Sequence, residues 1–257
     1  MGVDAGSGFG LDHLPYGVVL IDGEPRPVVR FGDQVLDLRR CAREGLLPDG
    51  EWTEGTNLDG LIAAEPAQWA LTRETLVGLL RADGRSPSAA ALVPLDQVGP
   101  PLLPFTVGDY VDFYSSIHHA SNVGRLFRPD ADPLLPNWRH LPVGYHGRSS
   151  TVVVDGTGVR RPIGQTRPGE DDLVAPVGPS SRLDFELEMG FVTGGAATAL
   201  GQRLEGSQAA QRIFGIVLLN DWSARDIQAW EYQPLGPFLG KSFATSISGW
   251  VTPLAAL

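Results

Sequence analysis

The sequence predicts a mainly β fold, a β-rich α+β arrangement, on three observations. Thirty-two glycines and twenty-one prolines cut the 257 residues into short segments, which suits strands and turns better than a helical bundle. Short apolar runs of strand length recur, among them a continuous one, RIFGIVLL (Arg212 to Leu219), suited to a buried strand. Helical patterning is confined to brief stretches.

In chain order, Gly17 to Asp22 (GVVLID), Pro27 to Phe31 (PVVRF) and Gln34 to Leu38 read as strands separated by turn residues. Leu58 to Ala64 and Trp69 to Arg81 read as helices. SPSAAALVPLDQVGPPLLPF, residues 86–105, is Pro-rich and uncharged except for Asp96, and reads as a connector. The expected division is therefore 1–105, a small N-terminal β domain with its connector, and 106–257, the part carrying the chemistry. GSGFG (Gly6 to Gly10) has the look of a phosphate loop, but no strand precedes it, and a flexible tail is the better account. No repeat period appears. Further on, Arg182 to Val192 (RLDFELEMGFV) alternates like a strand, and Asn220 to Trp230 (NDWSARDIQAW) reads as a helix opening where the 212–219 strand ends.

Charge narrows the partners. A net charge of −10 and a pI near 4.9 argue against nucleic acid or an acidic membrane surface, because phosphate binding needs a basic face. Cys41 is the single cysteine, so no disulfide forms within one chain, which fits a reducing compartment. No basic, apolar leader opens the sequence and no run of 18 apolar residues occurs, so the cytoplasm is the expected location and no membrane partner is expected.

Polar residues crowd into the second part. On a strand, Glu186 and Glu188 share one face while Phe185, Leu187 and Met189 take the other. A half-solvated strand with its acids in water explains that pattern as well as a site does. Two like charges on one face cost energy unless a cation neutralises them. Asp221 follows the apolar strand, where it serves either as a helix N-cap or as part of a pocket wall, with Arg225 and Gln228 on the same helix face. Asp112, Glu186, Glu188 and Asp221 have no cysteine or histidine obviously beside them, a set suited to a hard divalent ion, Mg²⁺ or Ca²⁺, if they converge. Ser115 and Ser116 suit the N-cap of a helix through His118 and His119. With Ser116 as cap, His119 falls in the first turn, where the helix dipole disfavours imidazolium and so favours a neutral general base. Ordinary hydrogen-bonded histidines remain the plainer alternative. Of twenty basic residues nineteen are arginine, and Lys241 stands alone.

The stretches DYVDFYSSIHHASNVG, LPNWRHLPVGYHGR, SSRLDFELEMGF, LLNDWSARDIQAWEYQPLGPFLGKSF and TSISGWV together resemble the fumarylacetoacetase family, as do LPYG and GDQVLDL nearer the start. The resemblance implies an SH3-like N-terminal barrel, a β-rich catalytic domain and a homodimer. It implies an enzyme that hydrolyses a carbon–carbon bond of a small diketo acid, fumarylacetoacetate, giving fumarate and acetoacetate in tyrosine and phenylalanine breakdown. Position by position it places Asp112, Glu186, Glu188 and Asp221 on the metal, with Lys241 and Thr245 in the metal site. His119 matches the catalytic base. Arg225, Gln228 and Lys241 are placed to stabilise developing charge. Tyr114, Arg128, Tyr145, Arg225, Gln228 and Tyr232 match substrate contacts. Where a mammalian form reads Arg-Gln before the histidine, this chain has Ile117-His118, so His118 reads as a substitution. The resemblance also implies a catalytic domain continuing beyond Leu257, with an acid there that orients the histidine and further substrate contacts. Two alternatives stand beside it: a hydrolase or decarboxylase of the wider superfamily acting on acylpyruvates, and a non-catalytic metal-binding module.

Overall fold

The Asp22-Gly23 pair sets the first hairpin. Both residues sit at positive φ (55° and 80°), the backbone a two-residue hairpin loop needs. The strands Tyr16–Ile21 and Glu24–Phe31 therefore pair antiparallel, from Ile21↔Glu24 to Tyr16↔Val29. A second tight turn at Gly32 (φ 59°) brings in Gln34–Asp37. That strand stops one residue short of the expected Leu38, because the Asp37 side chain accepts from the Arg40 N–H (3.1 Å) and caps a short helix, Leu38–Arg43. The computed structural model describes residues 8–48, 50–81, 87–171 and 173–257.

Both expected helices form, as Asp59–Ala63 and Pro66–Leu80. The second starts three residues earlier than expected, with Pro66 in the first turn, where its missing N–H costs nothing. The expected connector is not a free linker. Leu92–Pro94 pairs with Gln34–Asp37 as an edge strand, and the Gly99 and Leu102 N–H groups donate to Leu20 and Val18 carbonyls. Ser86 lies outside the described residues, as do Gly6 and Ser7 of the glycine-rich stretch. Of that stretch, Phe9 accepts from the Gly32 N–H (2.8 Å), with the Arg30 guanidinium 3.6 Å over its ring.

One nine-stranded sheet runs through both parts of the chain. Its order is Leu92–Pro94, Gln34–Asp37, Glu24–Phe31, Tyr16–Ile21, Trp250–Pro253, Ile213–Asp221, Thr245–Ile247 and Val152–Val154, with Leu187–Thr193 also on Ile213–Asp221. Among the described residues only the Thr245–Ile247 and Val152–Val154 pair is parallel. The seam is Tyr16↔Val251 and Gly17↔Trp250.

The main core crosses the same seam. Phe214 is buried between Tyr16 (ring centroids 5.6 Å) and Trp69 (5.3 Å, edge-on), and Trp69 donates to the Leu61 carbonyl at 2.7 Å. Phe214→Ala is expected to cost ~3–5 kcal/mol, the range for deleting a buried aromatic. Denaturant unfolding checks it, and a loss under 1 kcal/mol would show the seam to be peripheral.

Two expectations about the second part change. The 182–192 strand is two pieces, Leu183–Asp184 on Ser223–Ala224 and Leu187–Thr193 on Ile213–Asp221, because the partner strand ends between them. The helix expected over 220–230 is only Arg225–Glu231, since Ile213–Asp221 runs as strand through Asp221. Among the described residues no helix is long and apolar enough to cross a membrane.

Candidate functional site

Three separate segments deliver acids to one place. Asp112 lies on Val111–Phe113, paired opposite Tyr145 of Gly144–His146. Glu188 lies on Leu187–Thr193, opposite Leu219. Asp221 ends its strand opposite Thr245 and is 1% exposed. One oxygen from each of Asp112, Glu188 and Asp221 lies within 4.8 Å of the others. Asp221 is thus not a helix N-cap. That role passes to Ala224, with no side-chain bond, while the Asp221 N–H donates to the Glu186 carbonyl (3.1 Å) and turns its carboxylate inward.

The alternation expected over 185–189 holds, and it is the apolar side that faces out. Glu186 and Glu188 are half-buried, whereas Phe185 (66%), Leu187 (76%) and Met189 (55%) are exposed. The acids do not sit in water. Glu186 stands apart from the other three. Its Oε2 accepts from Lys241 Nζ (2.6 Å), and its Oε1 accepts from Arg225 Nη2 (2.6 Å) with His119 Nε2 at 3.5 Å. Lys241, 7% exposed on the short Leu239–Ser242 helix, also donates to Asp221 Oδ2 (2.5 Å). An ammonium only donates, so Lys241 cannot itself ligate a metal.

Electrostatics separate the acids. Burial works against Glu186, but Lys241 and Arg225 hold its carboxyl below the usual range. Burial, then Asp112, Asp221 and Glu186, push Glu188 up to about 8. Burial pushes Asp221 up to about 7, with Lys241 opposing and Asp112 and Glu186 adding to the rise. Burial first, then Asp221 and Asp112, raise the Tyr145 phenol far above its ordinary value, so its hydroxyl keeps its proton, 2.9 Å from Asp112 Oδ2 and 3.3 Å from Asp221 Oδ2. Asp221 Oδ1 is buried with no partner among the described residues. Crowded carboxylates and an orphaned buried oxygen call for a cation, and an all-oxygen donor set fits a hard divalent one.

A pH dependence follows. Cation binding needs Glu188 and Asp221 ionised, so affinity should be level above about 8 and fall as pH drops through about 8 and about 7. Both folded values lie above those of a free carboxylate. The cation-free fold therefore loses stability as pH rises from the ordinary carboxylate range up to about 8, and bound cation removes the loss. Calorimetry from pH 6 to 9 in buffers of different ionisation heat should show proton release near neutrality. A pH-independent affinity would contradict it.

The remaining residues surround this cluster. Ser116 caps Ile117–Phe127 as expected, accepting from the His119 N–H (3.3 Å). His119 is half-buried against Tyr114, edge-on at 5.8 Å, while His118 is exposed. Arg225 and Gln228 share a helix face (Nη1 to Oε1, 3.0 Å), but Asp221 is not on it. Tyr232 follows that helix, its N–H donating to the Gln228 carbonyl. Thr245 is buried, its Oγ1 3.2 Å from the Tyr110 hydroxyl. Arg128 donates to the Pro133 carbonyl (2.7 Å) and keeps a buried Nε without a partner among the described residues. Tyr114 donates to the Ala120 carbonyl at 3.1 Å.

Three further side chains shape the site without standing out in the sequence. Asp184 accepts from Arg225 Nε (2.9 Å), and only its two-residue offset from Glu186 hints at it. Tyr110 precedes Asp112 by two and braces Thr245. Asp226 accepts from Ser180 Oγ (2.6 Å) and from the Ser181 N–H (2.7 Å) and Oγ (2.9 Å), tying the segment that leads to Glu186 onto the helix that carries Arg225.

Two family models match the chain: Fumarylacetoacetase N-terminal over residues 12–102, and Fumarylacetoacetate (FAA) hydrolase C-terminal over residues 110–257. The fumarylacetoacetase of Bos taurus is 49% identical over 268 residues, 98% of this chain and 62% of its own length. That of Rattus norvegicus is 48% identical over 265 residues, with the same shares. The chain thus spans about 62% of the length of these curated relatives. Among solved structures, a fumarylacetoacetate hydrolase from psychrophilic Exiguobacterium antarcticum superposes with a TM-score of 0.52 at 16% identity, over 93% of this chain and 66% of that one, a likeness of fold.

Proposed function

The chain belongs to the fumarylacetoacetase family, and we propose that its site serves metal-dependent hydrolysis of the carbon–carbon bond of fumarylacetoacetate, giving fumarate and acetoacetate. The observation that carries this reading is the convergence of Asp112, Glu188 and Asp221 around the orphaned Asp221 Oδ1, with His119 and Lys241 both on Glu186. Asp112, Glu188 and Asp221 would hold the ion, Mg²⁺ or Ca²⁺, with Glu186 as the fourth acid of the site. When bound, such an ion supplies Lewis acidity toward the diketone oxygens.

The protein's own residues supply the rest. His119 Nε2 removes a proton from water, whose oxygen bonds to the carbonyl carbon. The C–C bond then breaks with its electron pair left on the acetoacetate carbon, and the proton taken by His119 neutralises that carbon. Glu186, within ion-pair distance of Nε2, stabilises the imidazolium between those steps. Arg225, Gln228 and Lys241 face the developing negative charge. Tyr114, Arg128, Tyr145 and Tyr232 orient the diketo acid.

The same reading includes a division near residue 105, a cytoplasmic setting and a homodimer. An apolar face of Phe185, Leu187, Met189, Phe191 and Leu218, all more than half exposed, supports the dimer, and sedimentation equilibrium tests it. The function is tested by assaying fumarylacetoacetate cleavage with Mg²⁺ or Ca²⁺, in the 257-residue chain and in a version extended to the length of its relatives. Release of fumarate and acetoacetate by either supports the proposal, and no cleavage by both refutes it.

A further inference from the structure

Next to the acid cluster lies a cavity of about 340 Å³. Tyr110, Tyr145, Lys241 and Phe238 line it together with the loop that carries Arg148 and Ser150. The loop is braced at both ends. The Gly147 N–H donates to the Tyr110 carbonyl (3.0 Å), and the Tyr110 ring fills the space a Cβ at 147 would need, so only glycine fits. At the far end, Thr151 Oγ1 donates to the carbonyl of Ser242, beside Lys241 (2.8 Å).

Two cations at this cavity have donors to spare. Lys241 Nζ carries three protons and gives two of them, to Glu186 and Asp221, although the side chain is more than nine-tenths buried. Arg148 Nη1 reaches only Ser150 Oγ, at 3.4 Å, and the guanidinium has no carboxylate partner among the described residues.

We propose that the cavity is an anion subsite for a carboxylate of a small organic acid, held by the Arg148 guanidinium beside the positive charge of Lys241. Its assignment to a terminal carboxylate of the diketo acid rests on the function proposed above. A planar, forked guanidinium matches a carboxylate with two parallel hydrogen bonds, and Lys241 joins the subsite to the acids that would hold the metal.

The test is calorimetric titration of fumarate into the Mg²⁺-saturated 257-residue chain, with fumaramide as the uncharged control. Arg148→Gln should weaken fumarate ~10–100-fold, the range for losing a charged hydrogen bond. Arg148→Lys should recover part of the loss. Mg²⁺ affinity and the circular dichroism spectrum should stay unchanged in both. Equal fumarate affinity in Arg148→Gln and the parent chain overturns the subsite, as does fumarate binding no tighter than fumaramide. Arg148-dependent fumarate binding without cleavage of fumarylacetoacetate would keep the subsite and remove the substrate reading. Cleavage with Arg148-independent binding would do the reverse.

Discussion

In a version extended to the length of its relatives, His119→Ala loses ~10²–10⁴-fold in turnover, the usual worth of a general base, with metal affinity unchanged. The geometry explains the separation of effects. Among the described residues His119 Nε2 meets the acid network only through Glu186, and His119 is not one of the Asp112, Glu188 and Asp221 triad. His118→Ala should be mild, because that side chain is exposed on the helix. Steady-state kinetics and a metal titration on both variants check this. Loss in His118→Ala with a normal His119→Ala would mean the other histidine works.

Lys241→Arg keeps the charge and should still lower turnover ~10²–10³-fold, the range for removing one preorganised donor to a developing oxyanion. The ammonium sits 2.6 Å from Glu186 and 2.5 Å from Asp221 in a 7% exposed pocket, a spacing that suits a compact point charge. A planar fork is larger and spreads its charge over three nitrogens. The loss should fall on kcat more than on KM, as for an interaction that strengthens in the transition state. Near-normal kcat in a folded Lys241→Arg variant would leave the lone lysine an accident of composition.

Features set by neighbouring residues were legible in the sequence. The first two hairpins follow from Asp22-Gly23 and Gly32, where few residues but glycine and aspartate accept positive φ. The Ser116 cap and the first-turn place of His119 follow from local capping. Features set by distant partners were not. Asp221 looks like a cap because it precedes a helical pattern, but pairing with Thr245 and the Glu186 carbonyl keeps it in the strand. The alternation around Glu186 shows two faces without saying which is wet, and here the acids face inward. The Pro-rich 86–105 stretch reads as a connector, yet an open sheet edge recruits Leu92–Pro94. Asp184, Tyr110 and Asp226 act across 41, 135 and 46 residues, separations no local pattern reports.

The central claim is that Asp112, Glu188 and Asp221 form one hard-cation centre. Its most direct test is a Mn²⁺ titration of the 257-residue chain followed by electron paramagnetic resonance, with Asp221→Asn and Glu188→Gln beside the parent. The parent should bind one ion per chain, and Mg²⁺ should displace it. Each variant should bind at least ~100-fold more weakly, because even partners of ligands are worth 10–100-fold. Retained affinity in both variants, with the fold intact by circular dichroism, would contradict the claim.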